Sequence, residues 1–115
     1  EEAFIAGYGD GGFRVGESRF KGSMLITPSG FYPWDVQSKD DISAENLKPI
    51  LDVYQSVEIL IVGMGEGMAF LAKDVRAEFE SRKIAVEVMD TGAACRTYNV
   101  LLSEGRRVAL AVIPV

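Results

Sequence analysis

From residue 42 onward, the apolar residues alternate between two patterns. One is a short continuous run, and the other is a longer segment with helical spacing. Continuous apolar runs are typical of strands that are covered on both faces of a sheet. Three such runs predict strands: VEILIVG at 57–63, AVEVM at 85–89, and RRVALAVIPV at 106–115. A segment with the apolar period of a helix precedes each of them.

The first helical segment lies within 42–54, and we expect its regular part to begin near Asn46, because Pro49 fits badly deep inside a helix. The second spans 68–82, where Glu78 and Arg82 form an i, i+4 pair on the polar face. Apolar residues repeat at i, i+3 or i+4 in both segments. These residues are Leu47, Ile50, Leu51 and Tyr54 in the first, and Met68, Leu71, Val75 and Phe79 in the second.

The third helical segment spans 91–104, with Thr91 as the expected N-cap and Gly105 as the residue that ends it. Strands that alternate with helices through short links favour right-handed crossovers and parallel pairing. We therefore predict an α/β fold of three layers, in which helices flank a central, mostly parallel sheet.

The first part of the chain, residues 1–41, is rich in glycine and aromatic residues and predicts extra antiparallel β-structure of three or four short strands. FIAGYGDGGFRV at 4–15 has the pattern of a hairpin, and SMLITPSG at 23–30 ends in a turn signal. Pro33 restricts the FYPW segment to an edge strand or a turn. The length favours a single domain over 1–115, with a β-rich part to residue 41 and an alternating part from 42.

Composition excludes several classes of function. The net charge of −5 disfavours non-specific nucleic-acid binding and docking on an anionic membrane. With no histidine, the chain cannot form a Ser–His–Asp triad, a Cys–His dyad or a histidine-containing zinc site. The single cysteine excludes an internal disulfide and favours a reducing, cytoplasmic location, and no apolar run is long enough to span a membrane.

A glycine-rich segment, GMGEG, follows the first of the three strands and supplies Gly63, Gly65 and Gly67 as candidate ligand-binding residues. Glycines between a strand and a helix let the backbone approach a phosphate. The dinucleotide fingerprint requires a third glycine one position later, and Glu66 adds negative charge where a phosphate would lie. We favour a tight turn with close helix–sheet packing, and an anion or nucleotide site remains the alternative.

The segment MDTGAACRTYNVL at 89–101 holds the other candidate residues, Asp90, Thr91, Cys95, Arg96 and Asn99. Cys95 near a helix start and beside Arg96 has the setting of an activated thiolate. No histidine is available as a base, and free cysteine is among the most buried residue types. We favour a packed thiol over a catalytic one. Asp90 ends a parallel strand, where ligands of open α/β sheets bind.

The FYPW segment, Phe31 to Trp34, admits two interpretations. Clustered aromatic residues beside a proline can form a protein-binding surface. Burial against a face of the sheet is the interpretation that we favour. The carboxylates that follow it, Asp35, Asp40 and Asp41, lack the calcium-loop pattern and read as solvated charge.

Several of these segments together resemble a small domain family of uncharacterised bacterial and archaeal proteins. The resemblance lies in the motifs GYGDGGFRV, ITPSG and LIVGMG and in the single Trp34. Its most specific part is MDTGAACRTYNVLLSEGRRVALAVIPV. The chain resembles an alphaproteobacterial member, and eukaryotic members include a mitochondrial complex I assembly factor and an adipogenesis-associated protein. The resemblance implies a mixed central sheet, no established enzymatic activity, and chaperone-like help in assembling a membrane complex.

The family motifs carry over to Gly63 and Gly65 in the glycine turn, and in the second segment to Asp90, Thr91, Ala94, Cys95 and Asn99, without an accepted catalytic role for any of them. Met64 stands where relatives often have threonine, which weakens a phosphate-binding turn.

Two functions follow as expectations. The first is a non-catalytic binding or assembly module with a protein partner, no cofactor and no metal, which acts in the cytoplasm or at the periphery of the inner membrane. The alternative is a small-ligand module in which the glycine turn and the Asp90–Asn99 segment line one crevice. The residues leave the oligomeric state open.

Overall fold

A computed structural model describes residues 3–67 and 69–115 and places eight strands and three α-helices in them. Two short 3₁₀ turns lie at Lys39–Asp41 and Tyr54–Ser56. The strands are β1 (Ile5–Gly9), β2 (Gly12–Val15), β3 (Ser18–Lys21), β4 (Met24–Thr27), β5 (Gly30–Pro33), β6 (Ile59–Gly63), β7 (Ala85–Met89) and β8 (Val108–Val112). The helices are α1 (Lys48–Leu51), α2 (Lys73–Glu80) and α3 (Thr91–Ser103).

The central sheet has five strands in the order β5-β4-β8-β6-β7 and is mixed. The three strands of the alternating part, β8, β6 and β7, are parallel, as their apolar runs predict. The other half of the sheet is antiparallel, because the turn at Thr27–Gly30 folds β4 and β5 into a hairpin that pairs with β8. The prediction of a mixed three-layer α/β fold is confirmed.

The remaining N-terminal strands form a separate antiparallel sheet in the order β1-β2-β3. The first part of the chain therefore contains five strands rather than three or four, and they are divided between two sheets. Each strand is only four or five residues long, so its apolar pattern is too short to show which sheet it joins.

Two apolar clusters lie on opposite faces of the central sheet. One face is covered by α1, α2 and the segments around them, with Leu47, Ile50, Val75 and Phe79 buried against β6 and β8. On the other face, α3 and the small sheet enclose a second cluster, which includes Ile5, Phe13, Cys95 and Tyr98. This division produces the three layers, since each face of the sheet needs its own cover.

The first predicted helix is much shorter than expected. Its regular part is the single turn Lys48–Leu51, and Tyr54 falls in a 3₁₀ turn instead. Pro49 occupies the first turn of α1, where its missing N–H costs nothing. Leu47 and Ile50 are buried as their spacing predicts.

The second predicted helix begins at Lys73 rather than at Met68, which lies outside the described residues. Gly65 and Gly67 have φ of +89° and +85°, which turns the chain away from a helical path after β6. The helix ends at Glu80, two residues before the predicted end, and the predicted buried face and ion pair are confirmed for the described residues. Val75 and Phe79 are buried, and Arg82 pairs with Glu78 at 3.0 Å.

The third predicted helix is confirmed, with a correction at its first residue. Asp90, not Thr91, is the N-cap, because its Oδ1 accepts a hydrogen bond from the Ala93 N–H at 2.8 Å. Gly105 follows the end of the helix with φ +78°, as expected for a left-handed C′ residue. Among the described residues, no helix has the length and apolar character needed to cross a membrane.

Candidate functional site

The two strand-to-helix junctions that the sequence singled out lie side by side. They follow the neighbouring parallel strands β6 and β7, whose last residues Gly63 and Met89 are register partners. The Met64 N–H donates to the Met89 carbonyl at 2.9 Å, and the Thr91 N–H donates to the Gly65 carbonyl at 2.9 Å. The backbone of one junction is therefore bonded directly to the backbone of the other.

Thr91 joins these junctions to a third strand. Its hydroxyl accepts from the Gly65 N–H at 2.9 Å and donates to the carbonyl of Ile113, just after β8. The side chain is fully buried. Both hydrogen-bonding functions of the hydroxyl are used inside the protein, and so is the Gly65 N–H. These groups are consequently not available to a bound ligand.

Gly63 is required for close packing of α3 on the sheet. A Cβ at this position would lie 2.9 Å from the Cβ of Ala94 and 2.9 Å from a methyl group of Val112. Contacts that short do not occur between real side chains, so only glycine fits. The tight-turn interpretation of the glycine segment explains this residue without a ligand.

The alternative of an anion site at the glycine turn loses its main physical support. A phosphate site of this kind needs a helix N-terminus directly after the turn. Here α2 begins only at Lys73, after an irregular stretch, and Glu66 is exposed within the turn. Among the described residues, the helix that begins beside the turn is α3. Its Thr91 N–H donates to the Gly65 carbonyl, and its Ala93 N–H donates to the Asp90 carboxylate.

Cys95 is a packed thiol in the cluster between α3 and the small sheet. Burial raises its pKa from 9.0 to about 11, and the neighbouring Arg96 guanidinium offsets only part of that rise. At neutral pH the sulfur is therefore protonated and shielded, which is the opposite of an activated nucleophile.

Asn99 also has a structural role. Its Oδ1 accepts from the Ile5 N–H at 2.8 Å, and its Nδ2 donates to the Ile5 carbonyl at 2.9 Å. The side-chain amide thus pairs with the β1 backbone in the way that another strand would. It fixes the small sheet on α3 and does not face the crevice at the junctions.

The other four candidate residues do come together in one crevice. Gly65, Gly67, Asp90 and Arg96 line an open depression of about 330 Å³ at the carboxyl ends of β6 and β7. Its charged groups are one guanidinium and the carboxylates of Asp90 and Glu66. An arrangement with more carboxylates than cations can hold a small polar molecule, but it disfavours a phosphate.

Three residues that line this crevice, Tyr8, Gly92 and Val115, were not named as site residues by the sequence reasoning. Tyr8 reaches it from β1, and its hydroxyl lies 3.2 Å from Nη1 of Arg96. Gly92 makes room for the tyrosine, because a Cβ there would lie 2.6 Å from the Tyr8 hydroxyl. Nothing in the local pattern of GYGDGG indicates this contact, although the run of small residues after Thr91 indicates a close approach.

Clusters of acidic, cysteine and histidine side chains that could hold a metal ion are absent from the described residues. The carboxylates of Asp35, Asp40 and Asp41, which the sequence predicts to be solvated charge, are exposed. Asp41 also has a local structural role. Its Oδ2 accepts from the N–H groups of Gln37 and Ser38 at 3.0 and 3.1 Å and caps the 3₁₀ turn that contains it.

The aromatic side chains of the FYPW segment divide between the two interpretations. Trp34 is buried, and its Nε1 donates to Oδ1 of Asn46 at 3.1 Å. Phe31 is 40% exposed and packs edge-on against Phe20 with 5.5 Å between the ring centroids. Burial was therefore the correct prediction for Trp34 and the wrong one for Phe31.

The most exposed large apolar side chain among the described residues is Phe70, at 94%. It lies in the irregular stretch between β6 and α2, three positions from Gly67 at the rim of the crevice. A phenylalanine of ordinary surface position is at least partly covered by its neighbours. The Phe70 ring is instead almost fully exposed to solvent.

The chain is similar both to proteins of unknown function and to assembly factors of NADH dehydrogenase. A family model described as a protein of unknown function (DUF498/DUF598) matches residues 5–113. An uncharacterized protein of Rhodobacter capsulatus is 39% identical over 110 residues, which cover 96% of this chain and 83% of that protein. The NADH dehydrogenase [ubiquinone] 1 alpha subcomplex assembly factor 3 of Danio rerio is 37% identical over 96% of this chain.

The similarity to the zebrafish assembly factor extends over 63% of that protein's length. Among solved structures, the fold matches a Bartonella henselae protein described as an outer membrane protein, with a TM-score of 0.94 and 35% identity. That match covers 98% of this chain and 95% of the other. Sequence and fold similarity thus extend over nearly all of the chain.

Proposed function

Because the chain belongs to the DUF498/DUF598 family of proteins of unknown function, we propose that it is a non-catalytic protein-binding module that helps to assemble a membrane-bound complex of the NADH dehydrogenase type. The similarity to assembly factors of that enzyme supports this role. Assembly of such a complex would take place at the cytoplasmic face of an inner membrane, where we expect the chain to act.

One observation carries the binding role, the exposure of Phe70. A phenyl ring that is buried on association contributes about 1.5–3 kcal/mol, which is a typical contribution of an interface anchor. The ring lies in the segment that precedes α2, outside any helix or strand, and connecting segments of this kind often carry binding residues. We propose that Phe70 inserts into an apolar pocket of the partner protein.

The chemistry of the residues in the 89–101 segment supports a non-catalytic role. Cys95 is buried with a raised pKa, and the hydroxyl of Thr91 is fully used by Gly65 and Ile113. Asn99 is paired with the β1 backbone. The side chains that would be the natural nucleophile and polar groups of a catalytic site instead hold the fold together.

Deletion and complementation in the organism that encodes the chain would test the proposal. Native gels stained for NADH dehydrogenase activity measure the amount of assembled complex. We expect deletion to lower that amount, the unmodified gene to restore it, and Phe70→Ser to restore little. Val100→Ser is the matched control, because Val100 is also exposed, at 55%, but lies on α3. Normal assembly in the deletion strain would refute the proposal.

A second candidate function is binding of a small polar molecule in the crevice between the junctions. The observation that favours it is that Gly65, Gly67, Asp90 and Arg96 converge at the carboxyl ends of two parallel strands. Thermal-shift measurements with nucleotides, phosphorylated metabolites and small amines at millimolar concentration would test it, with Arg96→Ala as the variant and Lys73→Ala as control. Unchanged melting temperatures would exclude it, because a ligand that binds the native state must stabilise it.

A further inference from the structure

Strand β3 is a free edge of the small sheet. Within the part of the chain that the structure describes, it pairs with β2 alone. The register is Val15 with Ser18 and Phe13 with Phe20, across a turn of two residues. The residues that flank such a turn form a hydrogen-bonded pair, so the backbone groups of Ser18 and Phe20 face β2. Those of the alternate residues, Arg19 and Lys21, therefore point away from the sheet and can pair with an added strand.

An apolar groove runs beside this edge. It has a volume of about 240 Å³, and its lining is mostly apolar, with Lys21 at its border. The apolar and aromatic residues that line it are Phe20, Met24, Phe31, Tyr32 and Pro33. Phe20 and Phe31 pack edge-on, and Phe31 keeps 40% of its surface exposed. We call this depression the β3–β5 groove. Its size suits one bulky apolar side chain.

The outer face of the small sheet is cationic in a protein whose net charge is −5. Arg14 and Arg19 are directly opposite in the register of β2 and β3, and Lys21 is the next residue of β3 on that face. All three are exposed, and none forms an ion pair with the described residues. Like charges that face each other across strands are destabilising, and an acidic partner would relieve that repulsion.

The position of one guanidinium is fixed on this face. Nη2 of Arg19 donates to the carbonyls of Gly9 at 2.8 Å and Asp10 at 3.1 Å. These neutral acceptors orient the group without neutralising it. A preorganised charge of this kind loses little side-chain entropy when a carboxylate binds.

From these features we propose that the β3 edge binds an extended segment of the partner protein in which acidic and bulky apolar residues alternate. Side chains of an added strand point alternately to the two faces of the sheet. Those on the side of Phe20 would enter the β3–β5 groove, and those on the side of Arg19 and Lys21 would meet cations. The inference rests on the proposed protein-binding function and assigns a second contact surface to it.

A synthetic peptide, acetyl-Glu-Val-Asp-Phe-Glu-Val-Asp-amide, is the probe for this site. Titration into ¹⁵N-labelled protein should shift the amide signals of Arg19 and Lys21 and slow their hydrogen exchange. A peptide of the same composition with its acidic residues grouped at one end is the control for the alternating pattern. Equal binding of the two peptides, or no shifts at β3, would overturn the proposal.

Charge and groove are tested separately by substitution. We expect Arg19→Glu, at a residue that does not line the groove, to weaken peptide binding about three- to tenfold, and added salt to weaken it as well. Phe31→Ser should weaken binding by a similar factor. The matched controls are Lys73→Glu and Val100→Ser. Lys73 is an exposed cation that forms no ion pair with a described residue, and Val100 is an exposed apolar residue on α3. Equal effects of the controls would overturn the proposal.

Other occupants give distinct results. A concentration-dependent dimer that Arg19→Glu disrupts and the peptide displaces would assign the edge to a second copy of the chain. Binding to vesicles with anionic lipid but not to the peptide would assign it to a membrane surface. Either result would overturn the assignment to a partner protein.

The complementation assay separates this inference from the proposed function. If Arg19→Glu and Phe31→Ser support full assembly while Phe70→Ser does not, the β3 site is wrong and the assembly role stands. If deletion of the gene does not affect assembly, the assembly role is wrong, whatever the peptide measurements show.

Discussion

Substitution of Thr91 by valine should destabilise the fold more than its small change in shape suggests. Valine keeps the branched outline of threonine, so it opens no cavity, but it removes the hydroxyl that bonds Gly65 and Ile113. A buried polar group without a partner costs about 1–3 kcal/mol. With one donor and one acceptor affected, we expect the free energy of unfolding to fall by about 3 kcal/mol.

That loss converts into a measurable shift in melting temperature. At about 2.1 cal/mol/K per residue, the 115 residues give an unfolding entropy of about 0.24 kcal/mol/K. A loss of about 3 kcal/mol therefore lowers the Tm by about 12 °C. Urea denaturation followed by far-UV circular dichroism, and by the fluorescence of the buried Trp34, measures the free-energy difference directly.

Two further variants isolate the hydroxyl. Thr91→Ser keeps both hydrogen bonds and loses one buried methyl group, so we expect a loss of only about 1 kcal/mol. Thr97→Val makes the same chemical change on α3 at a side chain that forms no hydrogen bond with the described residues. If Thr91→Val destabilises the protein no more than Thr97→Val does, the hydroxyl does not join the three strands as described.

Three other predictions follow from the same region. Gly63→Ala should lower the free energy of unfolding by about 1–3 kcal/mol, because the added Cβ would lie 2.9 Å from atoms of α3 and β8. Gly7→Ala is the control. Its Cβ would meet no atom within 4 Å, so the same urea assay should show almost no change. Asn99→Ala should accelerate hydrogen exchange of the Ile5 amide and its β1 neighbours more than that of β6, and uniform acceleration would contradict the role assigned to the side chain. Burial raises the pKa of Cys95 from 9.0 to about 11, so the thiol ionises at lower pH in the unfolded state than in the folded one. The difference in unfolding free energy between the unmodified protein and Cys95→Ala should therefore decline as the pH rises from about 9 toward 11. A difference that stays constant over this range would place the thiol in a more polar setting.

The predicted site residues divide into those that line the crevice and those that pack inside the fold, and the period of α3 explains the division. Gly92 and Arg96 are four residues apart and face Tyr8 at the crevice. Cys95 and Asn99 are also four residues apart, but they lie on the side of the helix that packs against the sheet and β1. A shared sequence motif thus mixes residues that line the crevice with residues that hold the helix in place.

The errors in the predicted helices have local causes. In the first, Pro49 limits the regular structure to one turn. In the second, Leu71 has the spacing of a helical residue and is buried in the same cluster as Val75 and Phe79, but it lies before the first turn of α2. Helical periodicity identifies the residues that must be buried, and it does not show where the hydrogen-bonded turns begin.

The sequence by itself determined the three parallel strands, the long helix α3 and the absence of histidine chemistry, because continuous apolar runs, helical periods and residue types are local properties. Only the tertiary structure decided that the N-terminal strands divide between two sheets, that Tyr8 reaches Arg96, and that Thr91 is used by the backbone of two strands. Those contacts join residues far apart in the chain. They depend on the register and approach of packed elements, which no short stretch of sequence encodes.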